Sequence, residues 1–324
     1  MARKTQQSGR RSGYAKDLLD VATMPRRQIE DLLRLARSLK AKQRKGTPHR
    51  LLREKTLGLL FQKPSTRTRV SFEAGMNQLG GNALVLFMGD SQLSRGESVS
   101  DTARVLSRYL DGIVIRTYDH AVVQEWAEAA DMPVINGLTD HSHPCQALSD
   151  LLTIQECKGR LKGLTLAYIG DGNNVTNSLI EAGAKMGMRV VAGCPSGYQP
   201  DQHVIDRARV EAETTGAVIE VIENPQVAVK EADIIYADVW TSMGQERDQA
   251  RRLKALAPYQ IDGRLLQRAK PDAIVMHCLP AHRGQEITAE VLDGPQSVVF
   301  DQAENRLHMQ KAILTQLLTR KKGV

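Results

Sequence analysis

The stretch that decides the fold is TLGLLFQKPSTRTR, residues 56–69. Its first part, Thr56–Phe61, is a short apolar run typical of a buried strand. Its last part, residues 65–69 (STRTR), alternates hydroxyls and guanidinia where a helix is expected to begin. Backbone N–H groups at a helix N-terminus attract anions, and arginine adds a planar donor fork that matches phosphate. STRTR therefore predicts an anion site, although a capped, basic helix start on the surface explains a lone STRTR equally well.

Outward from this stretch, short apolar strands alternate with helices along most of the chain. The predicted strands of the first series are Thr56–Phe61, Ala83–Phe87, Gly112–Thr117 and Pro133–Leu138. After a long helix at about Pro144–Lys158, a second series follows: Leu164–Gly170, Arg189–Cys194, Val218–Ile222, Asp233–Trp240, Ala273–Leu279 and Val298–Asp301. A last helix covers about Glu304–Leu318. Such alternation predicts an α/β fold with two doubly wound parallel-sheet domains joined by long helices.

Composition narrows the class of protein. The 324-residue chain has a net charge of +7, but its basicity is concentrated in residues 1–16 and 305–324, which contain no acidic residue. Only 4% of residues are aromatic, which disfavours a base-stacking nucleic-acid binder. Four sparse cysteines suit a reducing compartment, and no apolar run approaches the ~20 residues of a membrane span. We expect a soluble, cytoplasmic protein that binds neither nucleic acid nor membranes.

The chemically rich segments follow successive predicted strands. STRTR follows the first strand, Arg116 ends the third, and HPCQ (143–146) follows the fourth. In the second series, DGNN (171–174), DVWTSMG (238–244) and HCLP (277–280) occupy equivalent places. Ligands of open parallel sheets bind beyond the carboxyl ends of the strands. We therefore expect one site in the cleft between the two domains.

The first series offers cations and hydroxyls. Arg67 and Arg116 can neutralise a small, doubly charged phosphate, and His143 and Gln146 can donate to a carbonyl oxygen as it becomes an oxyanion. Three hydroxyls can bind the phosphate oxygens: those of Ser65, Thr66 and Thr68. The series therefore predicts a cradle for a small phosphate that carries a carbonyl group.

The second series offers a carboxylate and neutral polar groups but almost no cation. Asp238 suits a substrate with an ammonium group, Asn174 suits its carboxylate or amine, and Cys278 is the thiol at a strand end. Two other interpretations are weaker. His141 and His143 with Asp140 and Asp150 suggest metal ligands, but the spacing is poor and no second cluster matches it. IGDGNN (169–174) is similar to a dinucleotide loop, but Val175 replaces its third glycine.

The motifs STRTR, HPCQ, DVWTSMG, HCLP and AENRLH (303–308), in this order and spacing, resemble the aspartate/ornithine carbamoyltransferase family from about Leu18 to the final helix. SMG and HCLP are similar to the ornithine branch. The resemblance implies transfer of the carbamoyl group of carbamoyl phosphate to the δ-amine of L-ornithine, giving L-citrulline and phosphate, without a metal or other cofactor. It also implies homotrimers and a carbamoyl-phosphate domain (1–157), completed by the C-terminal helix (304–324), beside an ornithine domain (158–303).

The resemblance also implies residue roles. Carbamoyl phosphate is expected to contact Ser65, Thr66, Arg67, Thr68, Arg116, His143, Gln146, Cys278, Leu279 and Arg306. Gln92 resembles a glutamine that completes the site of the neighbouring subunit. Ornithine is expected to contact Asn174, Asp238, Ser242 and Met243. The expected catalytic residues are Arg116, His143, Cys278 and Asp238.

Three alternatives remain open from the sequence. A carbamoyltransferase of this kind could use another amine, such as putrescine or an acylated ornithine. An inactive relative could bind nucleic acid through its basic ends, although the complete set of motifs disfavours this. A dinucleotide-dependent oxidoreductase rests on IGDGNN alone.

Overall fold

The computed structural model describes residues 14–241, 244 and 246–319, and these form two parallel sheets. The first sheet has the order β2-β1-β3-β4 and the second the order β7-β6-β5-β8-β9. The strands of the first are β1 (Thr56–Phe61), β2 (Asn82–Phe87), β3 (Gly112–Arg116) and β4 (Val134–Leu138). Those of the second are β5 (Thr165–Ile169), β6 (Arg189–Gly193), β7 (Val218–Ile222), β8 (Ile234–Ala237) and β9 (Ile274–His277). The predicted fold class is confirmed.

Helices cover both sheets. Those around the first sheet are α1 (Arg26–Arg44), α2 (Thr66–Gln78), α3 (Val99–Leu106), α4 (His120–Ala129) and α5 (Pro144–Lys158). Those that follow are α6 (Asn174–Met186), α7 (Gln202–Thr215), α8 (Pro225–Ala228), α9 (Gln249–Leu256), α10 (Gly263–Leu266), α11 (Ala289–Leu292) and α12 (Val299–Leu318). Within the described residues, none of these helices is both long and apolar enough to cross a bilayer.

The strand order determines where a ligand can enter. In each sheet the later strands are added on both sides of the first strand, which is β1 in the first sheet and β5 in the second, so the strand order reverses there. Such a reversal opens a crevice at the carboxyl ends of the strands. β1 leads into STRTR and β5 leads into DGNN. Both crevices therefore contain motifs that the sequence singles out.

Two long helices connect the sheets. α5 is buried from Pro144 to Ile154 and packs against α6, which follows the first strand of the second sheet, and against α12, the last helix of the described residues. α12 in turn packs on α1, α2 and α5 and also contacts β9. Together the two helices hold the carboxyl ends of both sheets around a common space.

The predicted strand Val298–Asp301 is wrong. α12 begins at Val299, and the neighbouring residues Ser297 and Val298 only bridge to Val275. Val299 is 1% exposed whereas Phe300 is 70% exposed, because a helix turns successive side chains to different sides. A short apolar run followed by a helix has the same pattern as a buried strand, and periodicity alone does not separate the two.

Candidate active site

A cavity of about 1320 Å³ lies at the carboxyl ends of both sheets. Twelve of the predicted site residues line it: Ser65, Thr66, Arg67, Thr68, Arg116, His143, Gln146, Asn174, Asp238, Cys278, Leu279 and Arg306. Gln92 is exposed and does not line the cavity of its own chain. Ser242 and Met243 lie outside the described residues. The structure thus brings both series of motifs to one space.

STRTR forms the start of α2. Ser65 has an extended backbone and caps the helix, its Oγ accepting from the N–H of Thr68 at 3.3 Å. The first turn contains no acidic residue, so the positive end of the helix dipole faces the cavity without a nearby carboxylate on that turn. The capped helix start and the anion site are therefore the same feature.

Three guanidinium groups converge on this helix start. Arg67 Nη2 donates to the Leu279 carbonyl at 2.8 Å, and Arg306 Nη2 donates to Thr68 Oγ1 at 3.2 Å. Arg116 Nη1 lies 3.5 Å from the same hydroxyl. All of these acceptors are neutral. Positive charges without carboxylate partners favour a bound anion.

The burial of two of these guanidinium groups strengthens their preference for a bound anion. The Nε atoms of Arg116 and Arg306 are buried and lack a hydrogen-bond partner among the described residues. Burial, followed by the charges of Arg306 and Arg67, lowers the pKa of Arg116 to about 9. Arg116 therefore stays charged at neutral pH. A bound anion would stabilise all three cations.

His143 stands at the start of α5, directly before Pro144 at the first helical position. Its backbone N–H donates to Ser178 Oγ at 2.8 Å, which ties the helix start to α6 of the second sheet. Burial, then the charges of Arg306, Arg116 and Arg67, lower the pKa of His143 well below its usual range. The imidazole is therefore neutral at physiological pH and acts as a hydrogen-bonding group rather than as a proton reservoir.

Gln146 lies in the first turn of α5, and its side chain already makes two hydrogen bonds within the protein. Its Nε2 donates to Asp150 Oδ1 at 2.8 Å, and its Oε1 accepts from Arg306 Nη1 at 2.6 Å. One amide hydrogen is left to donate to a ligand, because a primary amide has two.

Asp238 and Cys278 form the opposite wall. The Cys278 thiol donates to Asp238 Oδ1 at 2.8 Å, and Asn173 Nδ2 donates to Asp238 Oδ2 at 2.7 Å. Burial, then the Asp238 charge, raises the pKa of Cys278 well above its usual range. The thiol is therefore protonated at neutral pH and is not a nucleophile. The carboxylate is the negative group of this wall that a substrate ammonium can approach.

The HCLP turn joins the two walls. Leu279 has a φ of 58°, and its N–H donates to His277 Nδ1 at 2.9 Å. His277 Nε2 lies 3.3 Å from the carboxylate of Glu286, and both side chains are fully buried. A left-handed backbone conformation is costly for leucine. The buried His277–Glu286 pair stabilises it through the hydrogen bond from the Leu279 N–H to His277. As a result the Leu279 carbonyl points to Arg67 and the neighbouring thiol to Asp238.

Sequence reasoning missed several residues of the cavity lining. Lys63 pairs with Asp140 at 2.5 Å and lies 4.5 Å from the centre of the Tyr118 ring. Arg252 forms a buried ion pair with Asp171. Lys63 lies two residues before STRTR and could have been noticed, whereas Arg252 has no neighbouring motif. Asn174 is present as expected, with its Nδ2 donating to the Thr139 carbonyl at 2.5 Å.

The structure does not bring Asp140, His141, His143 and Asp150, the metal ligands considered from the sequence, together as one group. Asp150 is fully buried and bonded to neutral side chains, and His141 faces Asp201 at 3.9 Å. Among the described residues, Asp238, His277 and Cys278 have potential ligand atoms within 4.8 Å of one another. Each of these groups is already hydrogen-bonded within the protein.

Comparisons with known proteins identify the class. Residues 16–156 match the family model described as the carbamoyl-P binding domain of aspartate/ornithine carbamoyltransferase, and residues 162–317 match its Asp/Orn binding domain. The two domains are those of a carbamoyltransferase. The chain belongs to the aspartate/ornithine carbamoyltransferase family, and the resemblance inferred from its motifs is confirmed.

Individual relatives agree with this assignment over nearly the full length. The ornithine carbamoyltransferase of Symbiobacterium thermophilum is 55% identical over 303 residues, covering 94% of this chain and 98% of the relative. The Pyrococcus furiosus protein described as "Ornithine carbamoyltransferase, anabolic" is 54% identical over 299 residues, covering 92% and 95%. A solved structure of ornithine carbamoyltransferase from P. furiosus superposes with a TM-score of 0.93 at 53% identity, covering 96% of this chain and 100% of that one.

Proposed function

We propose that this chain transfers the carbamoyl group of carbamoyl phosphate to the δ-amine of L-ornithine, giving L-citrulline and phosphate. One observation carries the proposal: a cradle of three guanidinium groups with neutral acceptors faces a carboxylate–thiol pair across a single cavity. That arrangement suits a phosphate-bearing donor on one wall and an ammonium-bearing acceptor on the other. The names of the relatives support the same pair of substrates.

The phosphate end of the donor binds at the start of α2. Arg67, Arg116 and the hydroxyls of STRTR take the phosphate oxygens, together with the free N–H groups of the first helical turn. Their positive charge replaces the water around the dianion. Arg67 also holds the Leu279 carbonyl at 2.8 Å, so phosphate binding and the position of the HCLP turn depend on the same side chain.

The carbonyl end points towards α5. Thr68, Arg116 and neutral His143 donate to the carbonyl oxygen, which becomes negative when the amine attacks. Donors fixed in advance around a developing oxyanion lower the barrier without reorganising at the moment of reaction. Because phosphate is already a good leaving group, the protein contributes mainly position and charge stabilisation.

The acceptor binds against the second wall. Asp238 orients the amino groups of ornithine, and Asn174, Ser242 and Met243 complete its site. The nearby guanidinium charges lower the pKa of the attacking amine and so favour its neutral form. The nitrogen lone pair forms the new C–N bond, the C–O bond to phosphate breaks, and the departing phosphate takes the proton of the amine. No metal or other cofactor is needed for this sequence of steps.

We also propose that the chain works as a cytoplasmic homotrimer with residues 1–157 and the C-terminal segment 304–324 as the carbamoyl-phosphate domain and residues 158–303 as the ornithine domain. Gln92 then completes the site of a neighbour. It follows the edge strand β2, whose Leu84 and Phe87 are 51% and 46% exposed. Exposed apolar side chains on an open sheet edge favour contact with another chain.

The rate at which the carbamoylated amine forms tests the proposal. The protein is incubated with carbamoyl phosphate and, in parallel, with L-ornithine, putrescine or Nα-acetylornithine. We expect ornithine to exceed the other amines by at least about 100-fold in kcat/KM, because they leave polar groups of the site unpaired. Preference for putrescine or for the acylated amine would establish the alternative acceptor, and no product with any amine would refute the activity.

A further inference from the structure

A buried carboxylate lies directly behind the cradle. Asp150 of α5 has no exposed surface, and its Oδ1 accepts from Gln146 Nε2 and Gln302 Nε2, both at 2.8 Å. Its Oδ2 accepts from the Tyr236 hydroxyl at 2.9 Å. Burial raises the pKa of Asp150 to about 6. Above neutral pH the group is therefore ionised and can only accept hydrogen bonds.

The partners of Asp150 lead to both walls of the cavity. Gln146 Oε1 accepts from Arg306 Nη1 at 2.6 Å on the cradle side. Gln302 Oε1 accepts from the N–H of His277 at 2.9 Å, at the start of the HCLP turn. Tyr236 lies on β8, two residues before Asp238. Every element that meets at Asp150, namely α5, α12 and β8, thus carries or holds a residue of the proposed site.

The charge of Asp150 determines how two amides are oriented. An ionised carboxylate accepts but cannot donate, so both glutamines must turn their Nε2 groups towards it. Their Oε1 atoms then face away, one towards Arg306 and the other towards the backbone of His277. If either amide turned over, oxygen would face oxygen at Asp150 and nitrogen would face a donor at the far end. A buried mismatch of this kind is costly.

We propose that Asp150 is a positioning residue for carbamoyl transfer. By fixing Gln146 and Gln302, its carboxylate holds the Arg306 side of the cradle in register with the Cys278–Leu279 turn on the other wall. This inference rests on the proposed function, because it assigns to Asp150 the alignment of the two substrates. Asp150 does not contact substrate and acts only through its neighbours.

Asp150→Asn tests the role of the charge at nearly constant volume. The variant removes the charge and replaces one of the two carboxylate oxygens with a donor, which must face either the two glutamine amides or the Tyr236 hydroxyl. We therefore expect kcat/KM for carbamoyl phosphate to fall about 10- to 100-fold, as for other residues that orient site ligands. The Kd of inorganic phosphate, measured by calorimetry, should change less than about 3-fold, because the groups proposed to take the phosphate oxygens, Arg67, Arg116 and the STRTR hydroxyls, make no hydrogen bond to Asp150, Gln146 or Gln302 among the described residues.

Asp233→Asn is the matched control. Asp233 is 4% exposed and bonded to the N–H of Thr165 and to Lys270, at the opposite end of β8. Its loss should lower the thermal midpoint and leave kcat and both KM values unchanged. If Asp150→Asn behaved in the same way, or if it lost phosphate affinity as strongly as kcat/KM, Asp150 would be structural only and the inference would be wrong.

Two further variants keep the test decisive. Gln146→Ala combined with Asp150→Asn should lose less than the product of the single losses, because both act on one interaction; independent, multiplying losses would overturn the inference. If Asp150→Asn does not fold, Gln302→Met removes the amide that joins Asp150 and Tyr236 to the N–H of His277 and leaves the Gln146–Arg306 contact in place. An unchanged kcat in that variant would equally overturn the inference. Wild-type protein that forms no citrulline would instead refute the proposed function, and the inference with it.

Discussion

Replacing Arg67 by alanine is the sharpest test of the cradle. Arg67 is an exposed side chain of the cavity lining, and its one described hydrogen bond goes to the Leu279 carbonyl. With substrate bound, it would make two charge-assisted contacts with phosphate. At about 1.5–3 kcal/mol for each hydrogen bond to a charged group, the variant should lose about 3–6 kcal/mol of transition-state stabilisation.

That loss corresponds to a decrease of about 10²- to 10⁴-fold in kcat/KM, at about 1.4 kcal/mol for each factor of ten. It is measured as citrulline formed from carbamoyl phosphate and ornithine. The fold should survive, because an exposed side chain with one hydrogen bond contributes little to stability. The thermal midpoint is therefore expected to shift by only a few degrees.

Arg26→Ala provides the control for the loss of one positive charge. Arg26 lies at the start of α1 and pairs with Glu30 at 2.9 Å, outside the cavity lining. It should keep wild-type kinetics. An Arg67→Ala variant with a nearly normal rate would refute the phosphate cradle, whereas equal losses in both variants would trace the effect to overall charge.

Four further outcomes follow from the structure. Asp238→Asn should raise KM for ornithine by about 10- to 100-fold while the KM for carbamoyl phosphate stays nearly constant; equal losses for both substrates would contradict separate walls. Cys278 should resist iodoacetamide at pH 7.5, because its pKa is raised well above the usual range, and rapid alkylation in site-resolved mass spectrometry would show a thiolate. Mixing Arg116→Ala with Gln92→Ala chains should restore roughly a quarter of wild-type activity if sites are shared in a trimer; activity no higher than in the parents would exclude sharing. Burial raises the pKa of Glu181 from 4.5 to about 7. Between pH 4.5 and 7 the folded chain therefore keeps a proton that the unfolded chain loses. The stability of the wild type falls as the pH rises through this range. Glu181→Gln should therefore gain about 3 kcal/mol relative to wild type between pH 4.5 and 7 in urea unfolding, and no gain would show the carboxylate is already ionised.

The parts of the fold that could be read from the sequence are those set by local pattern. α5 begins at Pro144 and ends at Lys158, as predicted, because proline favours the first helical turn and Gly159 takes a left-handed conformation after the last. The buried runs of β1, β3 and β5 were equally clear. The start of α12 is the exception: its first apolar residues fit a strand and a helix alike, and the sequence pattern predicts a strand where the helix begins.

The same distinction separates the predictable from the unpredictable parts of the site. STRTR, HPCQ and HCLP could be placed together because parallel strands bring their carboxyl ends to one edge, so that position in the sequence determines position in space. No such rule predicts that Arg306 lies in the site. It lies within α12, and only the resemblance to a family linked it to Thr68, 238 positions earlier.

The Asp150 network shows why the remaining detail depends on the folded chain. Its carboxylate joins Gln146, four positions away, to Tyr236 and Gln302, which are 86 and 152 positions away. A glutamine in the sequence indicates an amide but not which end faces a neighbour, and that orientation exists only once three elements have packed around one charge. Strand patterns bring the reacting groups to the same cavity, whereas long-range buried contacts fix their direction. Because catalysis by position depends on direction as well as proximity, the residues that decide the rate include some that no motif contains.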